Sequence, residues 1–497
     1  MSVSLRYLVG MFCLLFAIGF LPVIAGAEEK ADNNRYNVVF IAIDDLRPDL
    51  GCYGDPHAQS PNLDRLAKQG MMFSKHYVQV ATCGASRFAL LTGRSPATSG
   101  VTRNNNALYS GPTKLSEKQL PGAQTLPEQF RRSGYHTVLI GKISHTADGL
   151  VYAYDGSGDG RHELPNAWDD LATPLGEWKR GWGIFFAYTG GRHRESGKGH
   201  QDLMEFTAIE DNELPDGQMA DEAVSQLKKL AKGDKPFFMG LGFFKPHLPF
   251  VATKGDWEAV QKDEIASEEA RAKPDSPWWH ASGEFYRYDF PFKKTRPLDE
   301  DAHRQIRAGY RACVRYVDRQ VGKVLTAIEE LELDKDTIVV IWGDHGWHLG
   351  EQQVWGKHTP WERAVHSPLL IKAPEVKTPG KSCDALVETI DIYPTLVDLC
   401  RPSFTKTEKP LDGASLVPLL EETEIEVNPA AISFWRDGIS VRRANFRLVY
   451  SPNPKSKRAP ELYDMSVSPD NQTNVADKYP DIVKRLRRIG EEGEELP

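Results

Sequence analysis

Two short apolar runs, each followed closely by acidic residues, constrain the fold of this chain more than any other feature. The first run spans residues 37–43 (NVVFIAI) and the second spans residues 337–342 (TIVVIW). Uninterrupted apolar runs of this length are typical of strands buried on both faces of a parallel sheet. In open α/β sheets the ligand site lies outside the carboxyl ends of such strands. The polar residues that this rule places at one edge of the sheet are Asp44, Asp45, Asp344 and His345.

Adjacent carboxylates at a strand end indicate a metal site. Burial of Asp44 and Asp45 without a cation would be costly, and a hard divalent ion prefers oxygen ligands. Taken alone, the pair could equally be part of a loop or a helix cap. The second strand end, which adds Asp344 and His345, favours the metal hypothesis because two neighbouring strands can supply one ion.

Patterns between and around the two runs predict a doubly wound α/β architecture. Helices are expected at 61–70, 125–133, 222–231 and 299–331, and further strands at 135–140, 236–244 and 368–371. Their alternation predicts a large, mixed and mostly parallel sheet flanked by helices. After residue 413 the pattern changes to short strand-like segments at 431–435, 446–450 and 461–463, with a final helix at 479–492. We expect a catalytic domain over residues 33–405 and a small antiparallel C-terminal subdomain over residues 406–497.

The N-terminus has the features of an export signal. Arg6 is the only charged side chain before an apolar run at 7–24, and small residues follow at 25–27. This pattern predicts a signal peptide over residues 1–27, with an uncleaved anchor as the alternative. After cleavage we expect no membrane association and a periplasmic or secreted protein, or a lysosomal one in an animal. The net charge of −8 gives no basis for nucleic-acid binding.

Cys83 lies at the start of a helix-compatible segment, CGASRFALLTGR (83–94). We expect Ser86 to cap this helix and Gly93 to end it. A helix N-terminus presents unpaired N–H groups and a partial positive charge, which suit an anion. Cys83 with Arg87 in the first turn therefore predicts a site that attacks a negatively charged group, although a buried hydrophobic role is the alternative for a lone cysteine. Cys383 and Cys400 could form a disulfide or remain free thiols; their spacing leaves both open.

The segment from Cys83 to Arg94 resembles the signature of the formylglycine-dependent type I sulfatases, with Ala85 where the family usually has proline. The resemblance extends from Tyr36 to about Ala476, and is strongest to iduronate-2-sulfatases. The motifs that support it are DDLRP (44–48), GCYGD (51–55), KPHLPF (245–250) and DHGW (344–347). It implies an alkaline-phosphatase-like fold and a helix over residues 387–399.

The resemblance also implies a set of functional residues and a cofactor. In that family the cysteine, here Cys83, is oxidised to 3-oxoalanine (formylglycine) by a formylglycine-generating or equivalent maturation enzyme. The implied Ca²⁺ ligands are Asp44, Asp45, Asp344, His345 and the modified Cys83. The implied catalytic residues are Cys83, Arg87, Lys142, His145, His247 and Lys357. The implied substrate contacts are Lys142, His247, Lys357 and Trp347.

Without the resemblance, the sequence around some of these residues gives little indication of a functional role. Lys142 and His145 follow the predicted strand at 135–140, where a solvated loop is the ordinary reading. A long segment at 255–298 contains aromatic side chains that could form a sugar platform or could pack the segment itself. These side chains are Trp257, Trp278, Trp279 and His280.

The resemblance implies calcium-dependent hydrolysis of sulfate esters on sulfated, uronic-acid-containing glycans. In that mechanism a hydroxyl of the hydrated aldehyde attacks sulfur, and His145 takes a proton so that sulfate is expelled. His247 or Lys357 protonates the leaving oxygen, a step typically worth ~10²–10⁴ in rate. Two alternatives remain: a phosphomonoester or phosphonate ester hydrolase, and a non-catalytic glycan-binding protein if Cys83 is unmodified.

Overall fold

The computed structural model describes residues 36–195, 201–260 and 272–492. The predicted signal peptide, residues 1–27, lies outside the described residues. Within the described ranges no helix has the length and apolar character needed to cross a membrane.

Strands and helices alternate along most of the described chain. The strands are β1 (Asn37–Ile43), β2 (Met71–Tyr77), β3 (His136–Gly141), β4 (Asp170–Leu171), β5 (Met204–Ala208), β6 (Phe237–Phe243), β7 (Phe250–Thr253), β8 (Thr337–Gly343), β9 (His348–Leu349), β10 (Trp355–Gly356), β11 (Leu369–Lys372), β12 (Ser382–Glu388), β13 (Ala431–Trp435), β14 (Gly438–Arg443), β15 (Phe446–Tyr450) and β16 (Glu461–Asp464). The helices are α1 (Pro61–Gln69), α2 (Cys83–Thr92), α3 (Pro96–Ser99), α4 (Leu126–Arg132), α5 (Gly181–Phe185), α6 (Pro215–Leu230), α7 (Lys254–Ala259), α8 (Glu300–Glu330), α9 (Glu362–Val365), α10 (Ile392–Cys400), α11 (Val417–Glu421) and α12 (Pro480–Glu492).

The main sheet has eight strands in the order β12-β2-β11-β8-β1-β6-β3-β4. The central strand β1 pairs in parallel with both β6 and β8, whereas β11 runs antiparallel to its neighbours β2 and β8. Alternate side chains of β1 enter separate hydrophobic cores on the two faces, with Val39 and Ile41 in one core and Val38 and Phe40 in the other. This burial on both faces explains the uninterrupted apolar run. The predicted α/β fold with a mixed, mostly parallel sheet is confirmed.

The pairing of β1 with β8 brings the two predicted strand ends together. Ile43 is in register with Gly343, so Asp44 and Asp344, the next residue on each strand, lie side by side. The long helix α8 begins after Asp299, whose side chain accepts the N–H of Ala302 at 2.9 Å. This helix packs against α1 and α6 on one face of the sheet.

The C-terminal part contains a four-stranded antiparallel sheet in the order β13-β14-β15-β16, and α12 packs against β14 and β15. The small antiparallel subdomain is thereby confirmed, while the boundary at residue 405 stays a prediction. A buried ion pair at 2.5 Å joins Arg447 of β15 to Glu362 of α9. An ion pair, in addition to apolar packing, therefore joins the small sheet to the larger part of the chain.

Several details differ from the sequence-based expectations. The helix expected over 387–399 begins only at Ile392, because Val387 and Glu388 belong to β12 and pair with β2. Helix α6 begins at Pro215, before its predicted start at residue 222. Strands β2, β12 and β14 and the shorter strands β4, β5, β7, β9 and β10 were not predicted. Cys383 and Cys400 are both free thiols.

Candidate active site

Helix α2 places Cys83 at its first turn. Thr82 precedes it in an extended conformation, and Gly93 ends the helix with φ 64°. The expectation that Ser86 caps the helix is wrong: Ser86 lies in the first turn and donates its hydroxyl to the Asp344 carbonyl at 2.5 Å. Asn105 supplies the cap instead. Its Oδ1 accepts the Gly84 N–H at 2.9 Å and the Thr82 hydroxyl at 3.1 Å.

Cys83 is buried among charged side chains. Its Sγ lies 3.5 Å from Asp44 Oδ1, 3.3 Å from His345 Nε2 and 3.1 Å from Lys357 Nζ. Burial and the neighbouring Asp44 raise the pKa of the Cys83 thiol to about 12, outweighing the opposite effect of nearby lysines. The sulfur is therefore protonated at neutral pH in the unmodified chain.

Three carboxylates surround this sulfur, and each is at most 1% exposed: Asp44, Asp45 and Asp344. Asp45 adopts a left-handed backbone with φ 60°, which directs its N–H to Asp344 Oδ1 at 3.0 Å. Tyr310 of α8 holds this loop through its hydroxyl group. Its hydroxyl donates to the Asp45 carbonyl at 2.9 Å and accepts the Arg47 N–H at 2.9 Å.

Three cationic side chains are paired with these carboxylates. Arg87 reaches Asp344 Oδ2 at 3.0 Å through Nε and Asp44 Oδ2 at 3.3 Å through Nη2. Lys142 Nζ contacts Asp44 Oδ2, and Lys357 Nζ lies 2.8 Å from Asp45 Oδ1. Arg87 also donates to the Lys142 carbonyl, so one guanidinium connects α2 with the loops after β1, β3 and β8.

Two neighbouring carboxyl groups respond to this charge in opposite ways. Burial opposes ionisation of Asp44, but Lys142, His247 and Arg87 hold the pKa of that carboxyl well below its usual range. Burial raises the pKa of Asp45 well above its usual range, and Lys357 does not compensate. Among the described residues, Asp45 Oδ2 has no hydrogen-bond partner. Its contact with His247 Nε2 is long, at 3.8 Å.

This arrangement fits a divalent cation. Single ligand atoms of Asp44, Cys83, Asp344 and His345 all lie within 4.8 Å of one another, and a second such group joins Asp44, Asp45, Cys83 and His247. Three of the six donor residues are carboxylates, whose oxygens calcium prefers, and Asp45 Oδ2, which has no partner among the described residues, is a buried oxygen that a cation would satisfy. The predicted ligand set therefore converges around one point, with His247 adjacent to it.

The two histidines predicted to act in catalysis lie beside this cluster. His247 Nδ1 is 2.6 Å from the Leu248 carbonyl and donates to it, which leaves Nε2 directed toward Asp45. The backbone N–H of His145 donates to Glu163 Oε1 at 3.1 Å, and its Nδ1 has no hydrogen-bond partner in the part of the chain that is described. Burial, followed by the charge of Lys142, lowers the pKa of His145 well below its usual range, so its ring is neutral.

A cavity of about 740 Å³ opens over the cluster. The predicted site residues that line it are Cys83, Lys142, His145, His247 and Lys357. Arg87 and Trp347 are buried and are not among its described lining residues. The Trp347 ring instead lies 5.3 Å from Lys357 Nζ, so its substrate contact stays a prediction.

The aromatic side chains of the 255–298 segment divide between the two roles that the sequence left open. Trp278, Trp279 and His280 line the cavity. Trp257 stacks on Phe206 with ring centroids 4.4 Å apart, which is a packing role.

Sequence reasoning missed three residues that hold the site together. They are Asn105, which caps α2; Glu163, which accepts the N–H groups of His145 and Thr146; and Tyr310, which holds the Asp45 loop. Each is a single polar residue outside any recognisable motif. The sequence carries no signal that would have assigned these roles.

Sequence comparisons agree with this geometry. The sulfatase family profile matches residues 36–401, and the profile of the N-sulphoglucosamine sulphohydrolase C-terminal region matches residues 350–492. The chain is 28% identical to the iduronate 2-sulfatase of Mus musculus, over 86% of this chain and 80% of that protein. It is also 28% identical to a sulfatase of Formosa agariphila, over 91% of this chain and 85% of that protein.

Solved structures share the fold. A phosphonate monoester hydrolase of Agrobacterium radiobacter superposes with a TM-score of 0.71 at 22% identity, covering 90% of this chain and 94% of that one. A structure in complex with its substrate D-glucosamine-2-N,6-O-disulfate gives a TM-score of 0.65 at 21% identity, covering 92% and 97%. The fold is alkaline-phosphatase-like. With the family profile matched over most of its length, the chain belongs to the sulfatase family of sulfuric ester hydrolases.

Proposed function

We propose that this protein hydrolyses sulfate esters on sulfated, uronic-acid-containing glycans, with Cys83 converted to formylglycine and Ca²⁺ bound beside it. One observation carries the proposal. Cys83 Sγ lies within 3.5 Å of a carboxylate, a histidine and a lysine at one cavity. The proposed calcium ligands are Asp44, Asp45, Asp344, His345 and the modified Cys83.

The cationic wall of the cavity suits a sulfate group. Lys142 and Lys357 line it and supply ammonium hydrogen-bond donors for the non-bridging oxygens, and the His247 ring lines it beside them. Arg87 is buried against Asp44 and Asp344, so we assign it to positioning those carboxylates. When present, formylglycine supplies a hydrated aldehyde whose hydroxyl is the nucleophile, and calcium supplies positive charge at that oxygen.

The histidines divide the proton transfers. The His145 ring is neutral, and its Nδ1 has no hydrogen-bond partner among the described residues, so this nitrogen is suited to accept a proton. Lys357 faces the cavity with an ammonium group and can protonate the leaving oxygen directly. His247 can do so only when Nε2 is also protonated, because Nδ1 carries the proton of the neutral ring and burial lowers the pKa of His247 well below its usual range. The ring of His247 is fixed by its bond to the Leu248 carbonyl, which orients Nε2 before substrate arrives.

The glycan substrate, the location and the maturation step belong to the same proposal. A relative named iduronate 2-sulfatase and a neighbour bound to a disulfated glucosamine support a sulfated sugar as substrate. We infer export to the periplasm or the medium, or to the lysosome in an animal. We also infer modification of Cys83 by a formylglycine-generating or equivalent enzyme.

A phosphate or phosphonate ester is the second candidate substrate, because phosphonate monoester hydrolases superpose on this chain with TM-scores of 0.71 and 0.72. The test is to compare kcat/KM for 4-nitrophenyl sulfate with that for 4-nitrophenyl phosphate and its phenylphosphonate ester. We expect the sulfate to be preferred. A strong preference for either phosphorus ester would overturn the proposal.

The modification is tested separately by peptide mass spectrometry across residues 82–94 in protein from the native host. We expect the aldehyde at Cys83, and an intact thiol in all molecules would end the catalytic claim. Cys83→Ala and Lys142→Ala should each reduce kcat by at least about 10³-fold with the fold retained. Cys400→Ala is the matched control, since Cys400 is also a buried free thiol but lies on α10 outside the cavity.

A further inference from the structure

Arg436 occupies an unusual backbone position in the hairpin between β13 and β14. Trp435 pairs with Gly438, so the turn contains only Arg436 and Asp437. Arg436 has φ 57°, in the left-handed region. Two-residue hairpin turns of this kind favour asparagine or glycine, because a larger side chain costs roughly 1–2 kcal/mol there. An arginine at this position is a local disadvantage that the fold tolerates.

The charge of Arg436 is not neutralised by a partner among the described residues. Its guanidinium makes no hydrogen bond or ion pair within residues 36–195, 201–260 and 272–492. Arg458, which lines the same cavity, is different: it pairs with Asp437 at 2.6 Å and lies 4.5 Å from the Trp278 ring. Arg436 thus combines a strained backbone with an exposed, unpaired charge.

The side chain of Arg436 lines the cavity that contains Cys83. Its guanidinium carbon lies 5.5 Å from the Trp435 ring, and Trp435 stacks on His358 at 4.9 Å. His358 follows Lys357 directly in the chain and accepts or donates a hydrogen bond with the Thr82 hydroxyl at 3.2 Å. An aromatic wall therefore connects Arg436 with the two residues that flank the proposed reaction centre.

We propose that Arg436 determines specificity by binding a second anionic group of the substrate, a carboxylate or a second sulfate on the sugar. This inference rests on the proposed function, since it assumes that the first sulfate is bound beside Cys83. The ammonium groups of Lys142 and Lys357 are engaged by the first sulfate, so a second anion needs another cation. A guanidinium binds carboxylate and sulfate oxygens through two parallel hydrogen bonds. Of the arginines that line the cavity, Arg436 and Arg287 have no side-chain hydrogen bond or ion pair among the described residues, and of these two only Arg436 has a left-handed backbone.

The test uses Arg436→Asn, which removes the charge and suits the left-handed turn, so the variant should be at least as stable as the parent. Two matched substrate pairs are compared: a sulfated hexuronic acid glycoside with its carboxyl-reduced counterpart, and a disulfated glucosamine with its monosulfated form. We expect kcat/KM for one doubly charged substrate to fall about 10- to 100-fold, with less than a twofold change for its singly charged partner. The affected pair identifies the anion. Arg436→Lys should recover part of the loss.

Arg401→Asn is the control, because Arg401 is also an exposed arginine with a left-handed backbone, φ 45°, but lies outside the cavity. Equal losses on both members of each pair, or no loss on any substrate, would overturn the inference. If the parent enzyme hydrolyses none of the four substrates, the proposed function fails instead. Calorimetric binding of the same substrates to Cys83→Ala, with and without Arg436→Asn, then decides the role of Arg436.

Discussion

Asp45 and Glu351 are both fully buried carboxylates near the loop that follows β1, yet their surroundings differ. Glu351 Oε1 pairs with Arg47 at 2.8 Å, and its Oε2 accepts the Leu349 N–H at 2.5 Å. Burial opposes its ionisation, but Arg47, Arg363 and Arg307 hold the pKa of Glu351 well below its usual range. Asp45 has one oxygen on Lys357, one oxygen without a described hydrogen-bond partner, and a raised pKa.

This difference distinguishes a structural cluster, around Glu351, from the candidate active site, around Asp45. Arg47 lies two residues after Asp45, so the same loop contributes to both clusters. In the Glu351 cluster the protein's own cations satisfy the carboxylate, and nothing further is needed. In the Asp45 cluster the buried Oδ2 has no hydrogen-bond partner among the described residues. Native proteins tolerate such an oxygen mainly where a ligand binds to it. A cluster of buried charges is therefore not by itself a functional site. The feature that indicates one is a buried carboxylate oxygen that lacks a hydrogen-bond or ion-pair partner.

The largest expected effect concerns the structural cluster. Glu351→Gln removes the charge that compensates Arg47 and should lower the free energy of unfolding by about 3–5 kcal/mol, the usual cost of breaking a buried ion pair. Urea unfolding at neutral pH measures the loss. Glu330→Gln is the matched control, because Glu330 is exposed at the end of α8. If the two variants had the same free energy of unfolding, the ion pairs of Glu351 would contribute no more to stability than an exposed carboxylate does.

The next effect concerns the site cluster. If Ca²⁺ completes the coordination of Asp45, calcium at 100 times its Kd should stabilise the wild-type protein by about 2.7 kcal/mol, measured as a rise in Tm over an EDTA-treated sample. Asp45→Asn should lose most of this response. Asp318→Asn is the control: Asp318 is also buried, but it accepts the N–H groups of Asn62 and Leu63 at the start of α1. An undiminished calcium response in Asp45→Asn would remove Asp45 from the ligand set.

The same contrast explains what the sequence could predict. The strand ends at Asp44 and Asp344 were predictable, because the residues after a buried parallel strand reach the same sheet edge whatever the loops do. Lys142 and His247 also follow strands, but their roles came from the family resemblance. Positions fixed by distant contacts carried no local signal.

Two examples show why those positions were missed. Asn105 acts through a hydrogen bond to Gly84, and the segment around it has neither helical nor strand periodicity. Strand β14 follows an Arg-Asp turn, whereas hairpin turns are usually recognised from Asn-Gly or Asp-Gly. In both cases the three-dimensional neighbour, not the local sequence, determines the conformation.

The last expected effect concerns a third kind of buried carboxylate, one that is hydrogen-bonded but has no cation beside it among the described residues. Glu388 accepts the Ile432 N–H at 2.8 Å and the Gln79 amide at 3.0 Å. Burial, and then the charge of Asp391, raises the pKa of Glu388 above its ordinary value of 4.5. The folded protein therefore keeps a proton that the unfolded chain has lost, so this group makes the free energy of unfolding fall as pH rises above 4.5, until Glu388 ionises in the folded state.

Glu388→Gln should remove that part of the pH dependence. Relative to the wild type, the variant should gain stability steadily as pH rises from 5 to 9, by up to about 1.4 kcal/mol for each unit by which burial raises the pKa of Glu388. Urea unfolding across this range measures the difference, with Asp384→Asn as a control because Asp384 is an exposed carboxylate on the same strand. Glu351 gives the opposite sign: its lowered pKa makes its contribution disappear only as pH falls below its ordinary pKa of 4.5. Parallel pH profiles for Glu388→Gln and the wild type would mean that hydrogen bonds alone keep Glu388 ionised, and that a cation is not what distinguishes a satisfied buried carboxylate from an unsatisfied one.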